Sequence, residues 1–525
     1  MPSSYDTYAS PLAARNASEA MLRIWSPRHK FNTWRRIWLA VAEAMCEMAE
    51  VGEETKIRAL VIPEQVDELR AVVERKNPDG SVGITDDEIR LAETYERELR
   101  HDVMAHVHAL GDACPKARPI IHLGMTSQDV VCNADLVIFF EAMDILDAKG
   151  CRVISALGEF ADRYKGIATL GYTHYQPAQP VTVGRRAASW AWDLTIACGF
   201  SGTFHEYLRL KGLRGATGTQ ASYLALLAGD GASVDDLERR VMTKITSGLY
   251  RESGFYFGDE HPDPDLHGPV GQTYPRIVDQ MILSACGSTA AVLHKIATDI
   301  RLLSNRKELD EPFEDKQVGS SAMPYKRNPM RCERICGLTR FVMNLVGNAY
   351  DTAATQWLER TLDDSSNRRL SLPEAFLALD GALDLMHNVV SGLIVHEAMV
   401  RKNLMAELPF IATENILMAC VRLGGDRQDY HEKIRVHAQA AGLRVKQEGL
   451  DNDLLDRLKA DRNFWSAARG GPLSAELDWE GLMDPMKYIG RSVEQTERFI
   501  REVVEPLREQ SGVDVAALDD SAPRV

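Results

Sequence analysis

Apolar and small residues recur at steps of three and four along much of the chain. From Arg276 to Asn305 they run Val278, Ile282, Ala285, Thr289, Val292, Ile296, Ile300 and Leu303, which lays one stripe along a helix. Ser284, Gly287, Ser288, Ala290 and Ala291 in the same stretch are small enough to let neighbouring helices approach closely. A helix of about 30 residues is roughly 45 Å long, a length that suits a bundle. A second candidate starts near Asn133 and passes through Leu136, Phe140, Met143, Leu146, Val153, Leu157 and Phe160, with Gly150 as a weak point. It is apolar on more than one side, so it belongs among other helices. A third spans Val183 to about Leu210. Strand-like alternation is hard to find, and the expectation is an all-α fold.

Turn chemistry divides these helices. Lys76-Asn77-Pro78-Asp79-Gly80 is a turn cluster, and Gly254 to Gly271 and Asn463 to Ser474 read as loops dense in Pro, Gly and polar residues. Boundaries near Thr126 and Val395 give three units. These are an N-terminal helical domain (1–126), a central long-helix bundle (127–395) and a C-terminal helical domain (396–525).

Composition narrows the function. The 525 residues are 45% hydrophobic and 26% charged, a profile of a folded, water-soluble protein. No run approaches the roughly 18 consecutive apolar residues of a membrane span. The N-terminus lacks the basic-then-apolar pattern of a secretory signal, and the expected location is the cytoplasm. A net charge of −15 argues against nucleic acid as a bulk partner. A phosphorylated small molecule needs only a local Arg/Lys cluster. The nine cysteines are scattered; Cys332 and Cys336 alone sit close, with no second pair to complete a zinc set. No metal or other cofactor is expected.

The most informative stretch is Gly319-Ser320-Ser321-Ala322-Met323-Pro324-Tyr325-Lys326-Arg327-Asn328-Pro329-Met330. Two prolines and a leading glycine exclude a regular helix. By composition alone it reads as a surface turn, yet two hydroxyls, a lysine and an amide can present a base beside a carboxylate-binding cation. GSSAMPYKRNP resembles the signature loop of the fumarase, aspartase and argininosuccinate lyase superfamily, and within it the adenylosuccinate lyase family most closely. Leu123 to Val130 (LGMTSQDV) and Thr173 to Gln179 (THYQPAQ) resemble its other two signature regions. Arg100-His101-Asp102-Val103, Gln356 to Arg369, Gly271-Gln272-Thr273-Tyr274 and Gly425 to Asp429 are similar to further family stretches. The likeness runs in order from about Ser10 to Leu507 and is closest in style to the eukaryotic-type branch.

The resemblance implies elimination of fumarate from succinylated purine-pathway nucleotides. Ser320 is implied as the general base, with Ser321 next door left open, and Lys326 and Asn328 as carboxylate-binding groups. His174 is implied as the acid that protonates the leaving nitrogen, a task for a pKa near neutrality. Glu333 matches a glutamate that orients the histidine, and His101 a second active-site histidine. Thr126 and Ser127 look like donors to the succinyl carboxylates, and Gln272 like a substrate amide contact. Arg100 and Asp102 are carried over with the same substrate-binding stretch. Arg15, Arg334, Arg360, Ser365 and Arg369 resemble nucleotide contacts, several on the phosphate, for which the guanidinium fork is suited. The Asp and Ser residues of RTLDDSSNRR also fit a plain helix start, which leaves its basic ends unexplained.

Asn16 departs from the family pattern, since eukaryotic-type relatives usually show tyrosine beside that arginine. The insertions near 259–267 and 469–472 depart too; His261, His267 and three Asp read as a solvated loop rather than a metal site. The resemblance further implies a homotetramer whose bundle helices associate and whose sites each draw on three chains. Other readings are a different lyase or cycloisomerase of the superfamily, a silent structural relative and a helical scaffold. The arginine set speaks against the first, and Ser320, Lys326, Asn328 and His174 against the second. The scaffold leaves the loop motif unused.

Overall fold

The computed structural model describes residues 6–51, 60–205, 209–246, 266–314, 316–462, 464–466, 471–472 and 476–510. The N-terminal part carries α1 (Glu19–Ile24), α2 (Pro27–Val51), α3 (Pro63–Val73), α4 (Asp86–Leu99) and α5 (Asp102–Ala113). Capping fixes several of their starts. Thr85 Oγ1 accepts from Glu88 N–H at 3.2 Å while Glu88 Oε2 accepts from Thr85 N–H at 3.1 Å, a reciprocal capping box.

Next comes α6 (Ser127–Arg163), a single helix of 37 residues that runs through Gly150 without a break. Gly150 is there for packing: a Cβ would lie 2.7 Å from Cys198 Sγ. A hairpin of β1 (Ala168–Thr173) and β2 (Gln176–Thr182) follows, then α7 (Val183–His205), α8 (Ala221–Leu226), α9 (Gly231–Thr246) and α10 (Ile277–Asn305). After the short β3 (Leu309–Asp310) come α11 (Met330–Ala354) and α12 (Asp363–Ser391), with β4 (Ile394–Val395) pairing antiparallel to β3.

The long helices pack side by side: α10 along α11, α11 along α12, and α6 along both α7 and α12. Val278, Ile282, Ala285, Ile296, Ile300 and Leu303 of α10 are all buried, so the stripe read from the sequence faces the core. α10 is also long and apolar enough to cross a membrane by length and composition, because its small residues raise mean hydropathy without an unbroken apolar run; 61% of that window is buried inside the protein. A second apolar cluster lies beyond the bundle. It joins α13 (Glu397–Ile411), α14 (Thr413–Arg422), α15 (Arg427–Leu443) and α16 (Leu454–Ala460) through Ala412, Ile416, Cys420, Tyr430, Ile434, Leu454 and Phe464. In the GDRQD stretch, Asp426 caps α15 by accepting from Gln428 and Asp429 N–H at 2.8 and 3.1 Å.

The fold is all-α as expected, and among the described residues its strands form only three two-stranded pairings. The β1–β2 hairpin escapes notice because the alternation in β1 spans only six residues and its second strand holds two prolines, Pro177 and Pro180. A register shift falls between Thr169 and Gly171, where a Cβ on Gly171 would lie 2.3 Å from Gln179 O. All nine cysteines are buried and free. The residues 247–265, with His261 and the insertion acids, lie outside those described; His267 is half-buried rather than solvated.

Candidate active site

Nine of the sixteen residues singled out by motif meet around one cavity of about 620 Å³: Arg100, His101, Asp102, Thr126, Ser127, Gln272, Arg360, Ser365 and Arg369. That volume lies within the roughly 300–1,000 Å³ of small-molecule sites. Four helix starts and one helix end build it. Arg100 ends α4 in a left-handed conformation (φ 54°) and turns the chain so that His101 caps α5. His101 Nδ1 accepts from Met104 N–H at 3.3 Å. In the neutral ring the proton therefore sits on Nε2, which lies 3.3 Å from Ser127 Oγ and donates to it.

Thr126 and Ser127 open α6, and Asp129 holds that start in place. Asp129 is fully buried, accepts from Thr126 N–H at 3.0 Å and pairs with Lys211. Arg214 N–H and Tyr223 OH complete its shell at 3.0 and 3.4 Å. Gln272 Nε2 donates to Ala216 O at 3.1 Å, so one end of that amide is tied to the cavity wall. Across the cavity, Arg369 donates to Asp102 Oδ2 at 2.8 Å. Burial pushes the Asp102 carboxyl up, but Arg369 and the Val103 N–H outweigh it and hold the group below its ordinary pKa.

Sequence reasoning missed Lys30, Asp135, Arg276, Asp364 and Arg368, which also line this cavity. Arg368 is bound to Asp279 at 2.6 Å, to Asp135 at 3.0 Å and to the Tyr274 hydroxyl. Arg276 donates to Asp364 at 2.8 Å. Burial lowers the pKa of Lys30, with Asp135 pulling the other way. The visible clue was the basic residue beside each named motif; their convergence exists only in the fold.

The other seven residues do not line this cavity. His174 is exposed at the tip of the β1–β2 hairpin. His174 and Tyr175 have φ of 52° and 57°, so both central residues are left-handed, as a type I′ turn requires. Histidine is among the non-glycine residues found there more often, whereas a tyrosine in that region costs on the order of 1–3 kcal/mol. The Tyr175 ring rests on Tyr172 at 5.6 Å, and Tyr172 OH reaches Glu308 at 3.5 Å.

The remaining six lie on or near the 319–334 segment and do not line the cavity either. Ser320 Oγ accepts from Met323 N–H at 3.2 Å, and Asn328 Nδ2 donates to Gly319 O at 2.9 Å. That amide nitrogen therefore staples the loop. A side chain at 319 would meet Lys326 O at 2.3 Å, which explains the glycine. Lys326 and Glu333 are exposed, the latter on the first turn of α11. Glu311 clamps the loop's exit by accepting from Arg331 and Cys332 N–H at 3.0 and 2.6 Å. Arg334 is lowered in pKa by burial first and then by the positive charges of Arg15 and Arg331, so Arg15 and Arg334 lie near one another. Asn16 donates to Pro11 O at 2.9 Å, and its backbone abuts Gly381 of α12.

One chain thus presents three groups: a cationic cavity, a histidine on a hairpin tip, and a serine-lysine loop beside two arginines. Comparison with known proteins identifies the chain first at the level of class. A family model described as Lyase matches residues 14–224 and 276–344. The 3-carboxy-cis,cis-muconate lactonizing enzyme from Pseudomonas putida shares the fold, with a TM-score of 0.73 at 22% identity over 94% of this chain and 99% of that one. The chain therefore has the helical fold of the lyase class. The family is narrower still. A model described as Adenylosuccinate lyase C-terminus matches residues 409–499. Adenylosuccinate lyase from Schizosaccharomyces pombe is 45% identical over 95% of both chains, and that from Saccharomyces cerevisiae 44% over 95% of both. The chain belongs to the adenylosuccinate lyase family, and both of these relatives are eukaryotic, as the style of the motifs suggested.

Proposed function

We propose that this enzyme eliminates fumarate from adenylosuccinate to give AMP, and from succinylaminoimidazole-carboxamide ribotide to give the corresponding carboxamide ribotide. Besides family membership, one observation supports this reading most: Arg360, Arg369 and Ser365 share a cavity with Thr126 and Ser127. Arginines and a helix start suit a phosphate, and the hydroxyls suit carboxylates, so one cavity offers seats for both ends of a succinylated nucleotide.

In this reading Ser320 takes the proton from the carbon beside a succinyl carboxylate. The released pair forms the carbon–carbon double bond of fumarate, and the carbon–nitrogen bond breaks. His174 gives its proton to the departing nitrogen, and Glu333 orients that ring. Lys326 steadies the carboxylate on which negative charge gathers, the kind of electrostatic help that a water-poor site makes strong. His101, fixed by Met104 and Ser127, orients the donors opposite. The working unit in this reading is a homotetramer in which each site draws on three chains, a view supported by the separation of the three groups within one chain.

The test is fumarate release by the purified protein from each nucleotide. Turnover of adenylosuccinate and of the ribotide is expected. Turnover of argininosuccinate or a muconate with neither nucleotide accepted would move the chain to another branch of the superfamily.

A further inference from the structure

Arg276 precedes α10 and belongs to none of the motif contacts named above. The residue is 4% exposed and lines the 620 Å³ cavity. Nε is spent on Asp364 at 2.8 Å, and the guanidinium lies 4.5 Å from the centre of the Tyr274 ring. Nη1, by contrast, is buried and meets no acceptor among the described residues. Arg360 repeats the pattern on the same wall. Its Nη1 is buried without an acceptor, and its Nη2 stands 3.6 Å from Asp364 Oδ1, beyond hydrogen-bond reach.

Arg368 supplies the contrast. It lines the same cavity, and three acceptors from Asp279, Asp135 and Tyr274 surround it. Arg368 is therefore a strut. A buried donor left unpaired costs on the order of 1–3 kcal/mol, more when charged, so two such donors on residues that line one cavity need a different explanation from a strut. Charge points the same way. Six cations line the cavity, Lys30, Arg100, Arg276, Arg360, Arg368 and Arg369, against four acids, Glu96, Asp102, Asp135 and Asp364.

We propose that Arg276 is a ligand-contact residue that forms, with Arg360, a paired-guanidinium seat for a phosphate dianion. This rests on the nucleotide reading above and extends it to a residue with no assigned role. Tyr274 beneath and Asp364 beside Arg276 hold the fork in place before the ligand arrives, which limits the entropy lost on binding.

The experiment is calorimetric binding of AMP, adenosine and inorganic phosphate to the full-length protein, with melting temperature measured in parallel. Arg276→Lys keeps the charge and the reach to Asp364 but loses the fork. It should weaken AMP about tenfold, the size of one charge-assisted hydrogen bond, and leave adenosine within about twofold. The double variant Arg276→Gln with Asp364→Asn removes both partners of the 2.8 Å ion pair and leaves Arg360 as the remaining charge of the three. It should fold and show the same loss for AMP and for inorganic phosphate. If the wild type prefers AMP to adenosine and both variants keep that preference, the assignment of Arg276 is overturned and the nucleotide reading stands. If the wild type holds adenosine as tightly as AMP, the nucleotide reading falls and the seat with it.

Discussion

Ser320 is half-buried at the entrance to its loop, its oxygen already accepting from the Met323 N–H. Replacing it by alanine removes the proposed base and little else, because one turn-closing hydrogen bond is a small part of the loop's support. Turnover should fall by about 10²- to 10⁴-fold, the usual weight of general base catalysis, with the melting temperature nearly unchanged. A loss confined to Ser321→Ala would move the role next door. A different prediction concerns His106, which lies against Phe31 with ring centres 3.8 Å apart. Burial, and then the charges of Arg35 and Lys30, push its pKa down to about 3. The folded protein therefore refuses a proton that the unfolded chain takes up below about pH 6.5, so this residue's contribution is intact above that pH and is lost as pH falls towards 3. His106→Gln should flatten the acid side of the stability curve by up to about 1.4 kcal/mol per pH unit. Equal slopes in denaturant melts at pH 4 to 6.5 would contradict it. At this scale the 319–329 segment was legible as a loop, because its two prolines and leading glycine exclude a regular helix. Arg276 was not, since an unpaired donor is defined by what surrounds it in space.

The helices were the legible elements. The stripe on α10 and the apolar sides of α6 reflect burial among other helices, and burial is what spaces apolar residues at three and four. The hairpin carrying His174 was illegible for the same reason. Its burial pattern does not alternate, and its turn uses His and Tyr where Asn-Gly would announce itself. Contacts between elements also control where chemistry sits. Ser18 N–H and Oγ donate to Asp380 of α12 at 2.6 and 3.2 Å, and Asn16 O lies where a Cβ on Gly381 would come within 2.5 Å. Together they fix the segment that bears Arg15. Gly381→Ala should favour α12 by about 1 kcal/mol through helix propensity while pushing Arg15 away. The expected result is a roughly three- to tenfold rise in KM for adenylosuccinate, since small misplacements are costly, with kcat and melting temperature little changed. Unchanged kinetics would show that this contact does not position Arg15.

At the scale of the molecule, the reading proposed above is that one chain carries the parts of a lyase site and that several copies complete it. The cavity, the hairpin tip and the serine loop were each visible as motifs, but their separation could be seen only in the fold. The most direct test mixes two inactive proteins, His174→Ala and Ser320→Ala, under conditions that allow subunits to exchange, and follows fumarate release. If the two residues reach a site from different chains, about a quarter of the sites in an equal, random mixture carry neither lesion. The account predicts that activity rises from near zero to about that fraction. No recovery, with exchange verified, would mean that both residues act from one chain and would contradict the shared site.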